Sequence, residues 1–241
     1  METRFLRVLL IILQFLIYAV CLAACVFGVM QIYELKDTYV YISSIARVIT
    51  LILVTVSYYK NSFATNNPGD TFTSFFLFFA SVAEIRVISY FSATTGWGVI
   101  PDRVSVLMLT YAMFMTFLSA IGFGLYYHNN EHAAVSRFMA LTAAGTIFLV
   151  YLIPSSQNVI GIWKLHAPLY LLTIFLIIAI ISHLILIVSE PTRQIGSILI
   201  LAGLYMNVIA FGFTNCIIST ALYVIGGFIL MIMYLRNSVI L

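Results

Sequence analysis

Three charged side chains, Arg47, Glu84 and Arg86, stand inside runs that are otherwise apolar. An ionised group at the centre of a bilayer costs at least ~2.5 to 3.5 kcal/mol on insertion scales, so each of them needs a partner or water. If the apolar runs are helices rising about 1.5 Å per residue, Arg47 and Glu84 lie roughly 12 and roughly 13 Å from the same membrane face. Opposite charge, matched depth and consecutive antiparallel helices together predict an Arg47–Glu84 pair across two helices. Ser43, Ser44, Thr50, Val54 and Ser57 recur around Arg47 at three- and four-residue spacing, which gives its helix a polar stripe. Arg86 points about 200° away from Glu84, toward Ser89 and Tyr90, and its long stem is expected to reach the headgroups. A buried pair of this kind reads either as a staple between helices or as a point on a path for an ion, a proton or a small solute.

Three further positions carry chemistry. His183, beside Ser182 in an apolar run, is a proton-relay candidate whose ordinary alternative is a hydrogen bond to a neighbouring helix. Asn207 aligns with Gly203, Ala210 and Thr214 in a small-and-polar stripe, which reads as a packing seam before it reads as a ligand site. His128-Asn129-Asn130-Glu131-His132 matches the H-x-x-E-H arrangement of inverted zincins, where two histidines hold a metal and the glutamate acts as base. Glu190 and His183 fall on the same side as possible further ligands. Two asparagines in the middle of that pattern favour a turn over a helix, so the expectation is no metal at His128 and His132 and no cofactor. Cys21, Cys25 and Cys216 make neither a metal spacing nor a disulfide framework. The three lysines, Lys36, Lys60 and Lys164, are misplaced for a retinal Schiff base, and no phosphate loop or serine elbow appears.

The elements that position these residues must be helices in lipid. The 241 residues are 63% hydrophobic and 8% charged, against about 25% charged in an average globular domain. Eight apolar runs, near 6–33, 39–59, 71–93, 104–127, 137–154, 167–189, 194–213 and 217–235, each match a hydrocarbon core roughly 30 Å thick. They make one all-α transmembrane domain over 1–241, with no room for a soluble one. Only Thr214, Asn215 and Cys216 separate the last two runs, so seven spans is the competing count. Arg4, Arg7, Lys60, Arg137, Arg193 and Arg236 fall on one side and Lys36, Arg103 and Lys164 on the other, which places both termini in the cytoplasm of a cell membrane. Trp97, Trp163, Tyr33, Tyr39, Tyr58, Tyr59, Tyr126 and Tyr127 suit the interfacial belt. Leu22-Ala23-Ala24-Cys25 resembles a lipoprotein cleavage box, but the apolar run continues past Cys25 to Tyr33, as a spanning helix does. A four-plus-four repeat, 1–133 and 134–241, would align Arg86-Val87-Ile88-Ser89-Tyr90 with Asn207-Val208-Ile209-Ala210-Phe211.

The function expected from these residues is transport or binding of a small solute or ion in the bundle interior, lined by Arg47, Glu84, His183 and Asn207. A sensor or scaffold subunit working through a membrane partner is the alternative, and a membrane-embedded metal-dependent hydrolase the third reading. The thin spread of a +3 net charge offers no basic stripe for nucleic acid, so the expected partners are the lipid bilayer and a membrane protein or second copy.

Overall fold

The computed structural model describes residues 2–31, 35–62, 69–97, 102–126, 132–152, 166–209 and 213–239. Every regular element among them is an α-helix: α1 (Glu2–Gln31), α2 (Leu35–Ser62), α3 (Gly69–Ala83), α4 (Arg86–Thr95), α5 (Asp102–Tyr126), α6 (His132–Leu152), α7 (His166–Ile185), α8 (Pro191–Ile209) and α9 (Phe213–Val239). Five stretches among the described residues are long and apolar enough to cross a bilayer: Arg7–Gln31, Thr38–Lys60, Asp70–Thr95, Leu107–Leu125 and Phe213–Arg236. Arg137–Val150 and Tyr170–Ile185 are shorter apolar helices. Helix α1 passes through the buried Cys25 without a break.

Side chains sort in the sense that lipid demands. Ile12, Leu16 and Phe27 on α1 and Ile225, Phe228 and Ile232 on α9 face outward, while Gln14, Ser81, Glu84 and Arg47 are buried. The helices neighbour one another in the order α2, α9, α8, α7, α5, α3 and back to α2. Helix α1 lies against α2, α3 and α4, and α6 chiefly against α5. The closest packing, α8 on α9, depends on absent side chains: a Cβ on Gly226 would lie 2.8 Å from the Gly196 carbonyl oxygen, and one on Gly203 would lie 2.9 Å from that of Ser219. The Ser219 hydroxyl donates to the Gly203 carbonyl at 2.7 Å across the same seam.

One expectation is corrected here. The run 71–93 is not one helix, because α3 and α4 meet at a tight turn over Glu84 and Ile85. There the amides of Glu84, Ile85, Val87 and Ile88 donate to carbonyls three residues back, those of Ser81, Val82, Glu84 and Ile85, at 2.8 to 3.1 Å. No proline or glycine stands between Ala80 and Ile88, so tertiary partners rather than local propensity hold the break. Helix α4 then ends on Gly96, whose φ of 73° is left-handed and whose N–H donates to the Ser92 carbonyl at 3.1 Å. Tyr58 and Tyr59 are buried: the Tyr58 hydroxyl donates to the Asp70 carbonyl at 2.5 Å, turning the ring into the bundle.

Candidate functional site

Helices α2, α3, α4 and α9 converge on Arg47, which is 2% exposed, and Glu84, which is 1% exposed. Arg47 Nε lies 3.1 and 3.2 Å from the two carboxylate oxygens of Glu84. Its Nη2 donates to the Ser44 hydroxyl one turn earlier at 2.9 Å, and its Nη1 reaches the Thr220 hydroxyl on α9 at 3.3 Å. The sequence brings these groups together through the polar stripe of α2 and through the break, which sets Glu84 at a helix end. Tyr223 on α9, fully buried, faces Glu84. Cys21 and Cys25, one turn apart on the buried face of α1, border Glu84, and Cys216 borders Arg47.

Arg86 does not run to the headgroups. It is buried, and its Nη1 donates to the backbone carbonyl of Asn207, two residues before the end of α8. The last carbonyls of a helix lack intrahelical donors and carry the negative end of its dipole, so a guanidinium from another helix caps α8 there. Asn207 thus joins the cluster through its main chain, while its buried side-chain oxygen accepts no hydrogen bond.

His183 lies elsewhere. It lines a small cavity with Phe72, Thr73, Ser119, Phe123 and Arg193, and its ring centroid is 6.0 Å from that of Phe123. Arg193 closes this end of the bundle: its Nη2 donates to the Thr73 hydroxyl at 2.6 Å, its Nη1 reaches Glu190 at 3.4 Å, and its guanidinium carbon sits 4.3 Å over the Phe123 ring. Of the four candidate site residues, then, Arg47, Glu84 and Asn207 assemble in one cluster and His183 stands in another. Residues 128–131 of the H-x-x-E-H pattern lie outside the described residues; His132 opens α6.

Sequence reasoning missed Tyr18, Tyr223, Thr220 and Arg193. A signal existed for the first: Arg7, Gln14, Tyr18, Cys21 and Cys25 share one helical face of α1, all buried, in an otherwise strongly apolar span.

Comparison with protein-family models, curated proteins and solved structures finds no match. The fold and the composition themselves define the class: an all-α, multi-pass helical membrane protein.

Proposed function

We propose that this protein moves or binds a small solute or ion in the interior of an eight-span bundle, with Arg47 and Glu84 at the point of passage and both termini on the cytoplasmic side of a cell membrane. The observation that carries the reading is the coincidence of a buried charge pair with a broken helix. A 3₁₀ stretch within a span often marks a functional hinge, and intramembrane ionisable groups mark the paths of ions and substrates. A staple alone needs no break in the helix that bears it. Two guanidiniums and one carboxylate meet there among the described residues, a charged cluster on which a passing polar species can act.

The native cysteines test this without mutation. Cys21, Cys25 and Cys216 border the pair, so a site that opens to water exposes at least one of them. In sealed vesicles carrying the full chain, a charged membrane-impermeant methanethiosulfonate reagent should modify one or more of the three, identified by peptide mass. Modification seen only after denaturation would reduce the pair to a packing device.

A further inference from the structure

What passes Glu84 is legible in the groups that lead to it. Asp70, Ser74, Leu77, Ser81 and Glu84 follow one another at spacings of four, three, four and three residues, and so run along one side of α3 for about 21 Å. Hydroxyls from α1, α2 and α9 stand against that line. Near Asp70 the Tyr58 and Ser74 hydroxyls are 3.1 Å apart. Tyr59, the next residue of α2, neighbours both Ser74 and Tyr18. The Tyr18 hydroxyl accepts from Ser81 at 2.7 Å and meets the Thr55 hydroxyl at 2.9 Å. Tyr223 faces Tyr18 on one side and Glu84 on the other.

One buried group along this line has unmet hydrogen-bonding capacity: Gln14, one turn from Tyr18 on the same face of α1, has neither its amide oxygen nor its nitrogen engaged. A buried amide of that kind is where an internal water binds, and Gln14 stands level with the stretch between Ser74 and Ser81 that Leu77 interrupts. The chemistry of the file selects its cargo. Its hydrogen-bonded pairs, Tyr58 with Ser74 and Tyr18 with Ser81, stand 2.7 to 3.1 Å apart and leave no space between them for an organic solute or for a metal ion with its ligands, whereas a proton handed from oxygen to oxygen needs none. Each hydroxyl is both donor and acceptor, as relay requires.

We propose that the species moved is the proton, and that the hydroxyl file from Tyr58 and Ser74 through Tyr59, Tyr18 and Ser81 to Tyr223, with water held at Gln14, conducts it between the Asp70 end of the bundle and Glu84. This rests on the passage reading above and names its cargo. A hydronium at the Asp70 end gives up a proton and becomes water. Each oxygen of the file accepts one proton and releases its own, and the last transfer converts the Glu84 carboxylate into the acid. Release to water toward the opposite face restores the carboxylate and leaves hydronium there, with no change of redox state. The ionisable groups that face Glu84 during this cycle are Arg47 from α2, Arg86 from α4, Cys21 and Cys25 from α1 and Cys216 and Tyr223 from α9.

The test is proton flux into liposomes that hold the purified full chain and a trapped pH-sensitive dye, driven by a potassium diffusion potential. Protein-dependent acidification should fall at least tenfold in Glu84→Gln and several-fold in Tyr18→Phe, which keeps the ring and removes only the relay oxygen. Tyr170→Phe, which removes an exposed hydroxyl on α7, should leave flux unchanged. Flux no greater than in protein-free liposomes would overturn the proton as cargo. Flux lost in Glu84→Gln but kept in both Tyr18→Phe and Ser81→Ala would overturn the file. Should Glu84→Gln fail to fold, the Tyr18→Phe and Ser81→Ala arms decide alone. Cysteine modification reads access to the pair whatever is moved, so modified cysteines with no flux would remove the proton and leave the passage reading standing.

Discussion

Arg47 engages all three of its guanidinium nitrogens, with Glu84, Thr220 and Ser44 as partners, and so ties α2 to the α3–α4 break and to α9. Removing one member of such a pair leaves the other charge uncompensated in a low-dielectric interior, typically a loss of about 3 to 5 kcal/mol. Arg47→Ala and Glu84→Ala should each lower the thermal unfolding midpoint in detergent, and the double change should cost clearly less than the sum of the two. Additive losses in that cycle would mean that the residues do not support each other. The pair was legible from sequence because a charge in an apolar run demands a partner and helix rise gives its depth. Tyr18, Tyr223 and Thr220 were not, since a single hydroxyl in a hydrophobic helix costs little and signals nothing until its neighbours are known. Arg86 was misread for a related reason: its acceptor is a main-chain carbonyl near the end of α8, and main-chain acceptors leave no trace in residue identities.

At the scale of elements, apolar run length locates the helices to within a few residues, yet says nothing about the break inside one of them. The eight runs correspond to α1, α2, α3 with α4, and α5 to α9. The stripe through Gly203 does serve packing, because it lets the α8 backbone approach Ser219 on α9. Glycines in helices therefore fall into two groups with opposite expected responses. Gly145 on α6 has open space where a Cβ would go, so Gly145→Ala should gain up to about 1 kcal/mol from helix propensity. In Gly226→Ala the new methyl would press on the Gly196 carbonyl oxygen, a main-chain atom that moves only if α8 moves, so overpacking should cost about 1 to 3 kcal/mol despite the same propensity gain. Unfolding midpoints of the two variants, measured side by side, check the contrast. A Gly226→Ala protein as stable as Gly145→Ala would show that the α8–α9 seam is looser than its geometry.

Over the whole molecule, the starts of α1, α3 and α8 gather with the ends of α2, α5, α7 and α9 at one end of the bundle. Arg7 at the start of α1 neighbours Tyr59 near the end of α2, Tyr58 stacks edge-on against Tyr234 near the end of α9, and Arg193 at the start of α8 reaches Thr73 at the start of α3. The same end holds Phe123 near the close of α5 and His183 near the close of α7. Neighbour order carries a second regularity: α3 on α5 corresponds to α8 on α9, α2 on α9 to α7 on α5, and α2 on α3 to α7 on α8. Arg86 and Asn207, the positions that the proposed four-plus-four repeat equates, touch each other, as equivalent residues do beside a two-fold axis. Helices α1 and α6 depart from the scheme, since α1 packs on α2, α3 and α4 whereas α6 packs chiefly on α5. These relations support the proposed duplication of 1–133 and 134–241, and they tie it to topology. A parallel repeat needs an even number of crossings in each half, so the junction near residue 132 must lie on the same side as both termini. Because Arg7, Lys60, Arg137, Arg193 and Arg236 belong to that side, it should be the cytoplasm. Reporter fusions after residues 36, 65, 101, 132, 162 and 192 should therefore alternate between outside and inside, beginning outside. A fusion after 132 that reports the same side as its neighbours after 101 and 162 would remove the repeat and the eight-span count together, whereas inversion of the entire series would keep both and reverse only the orientation.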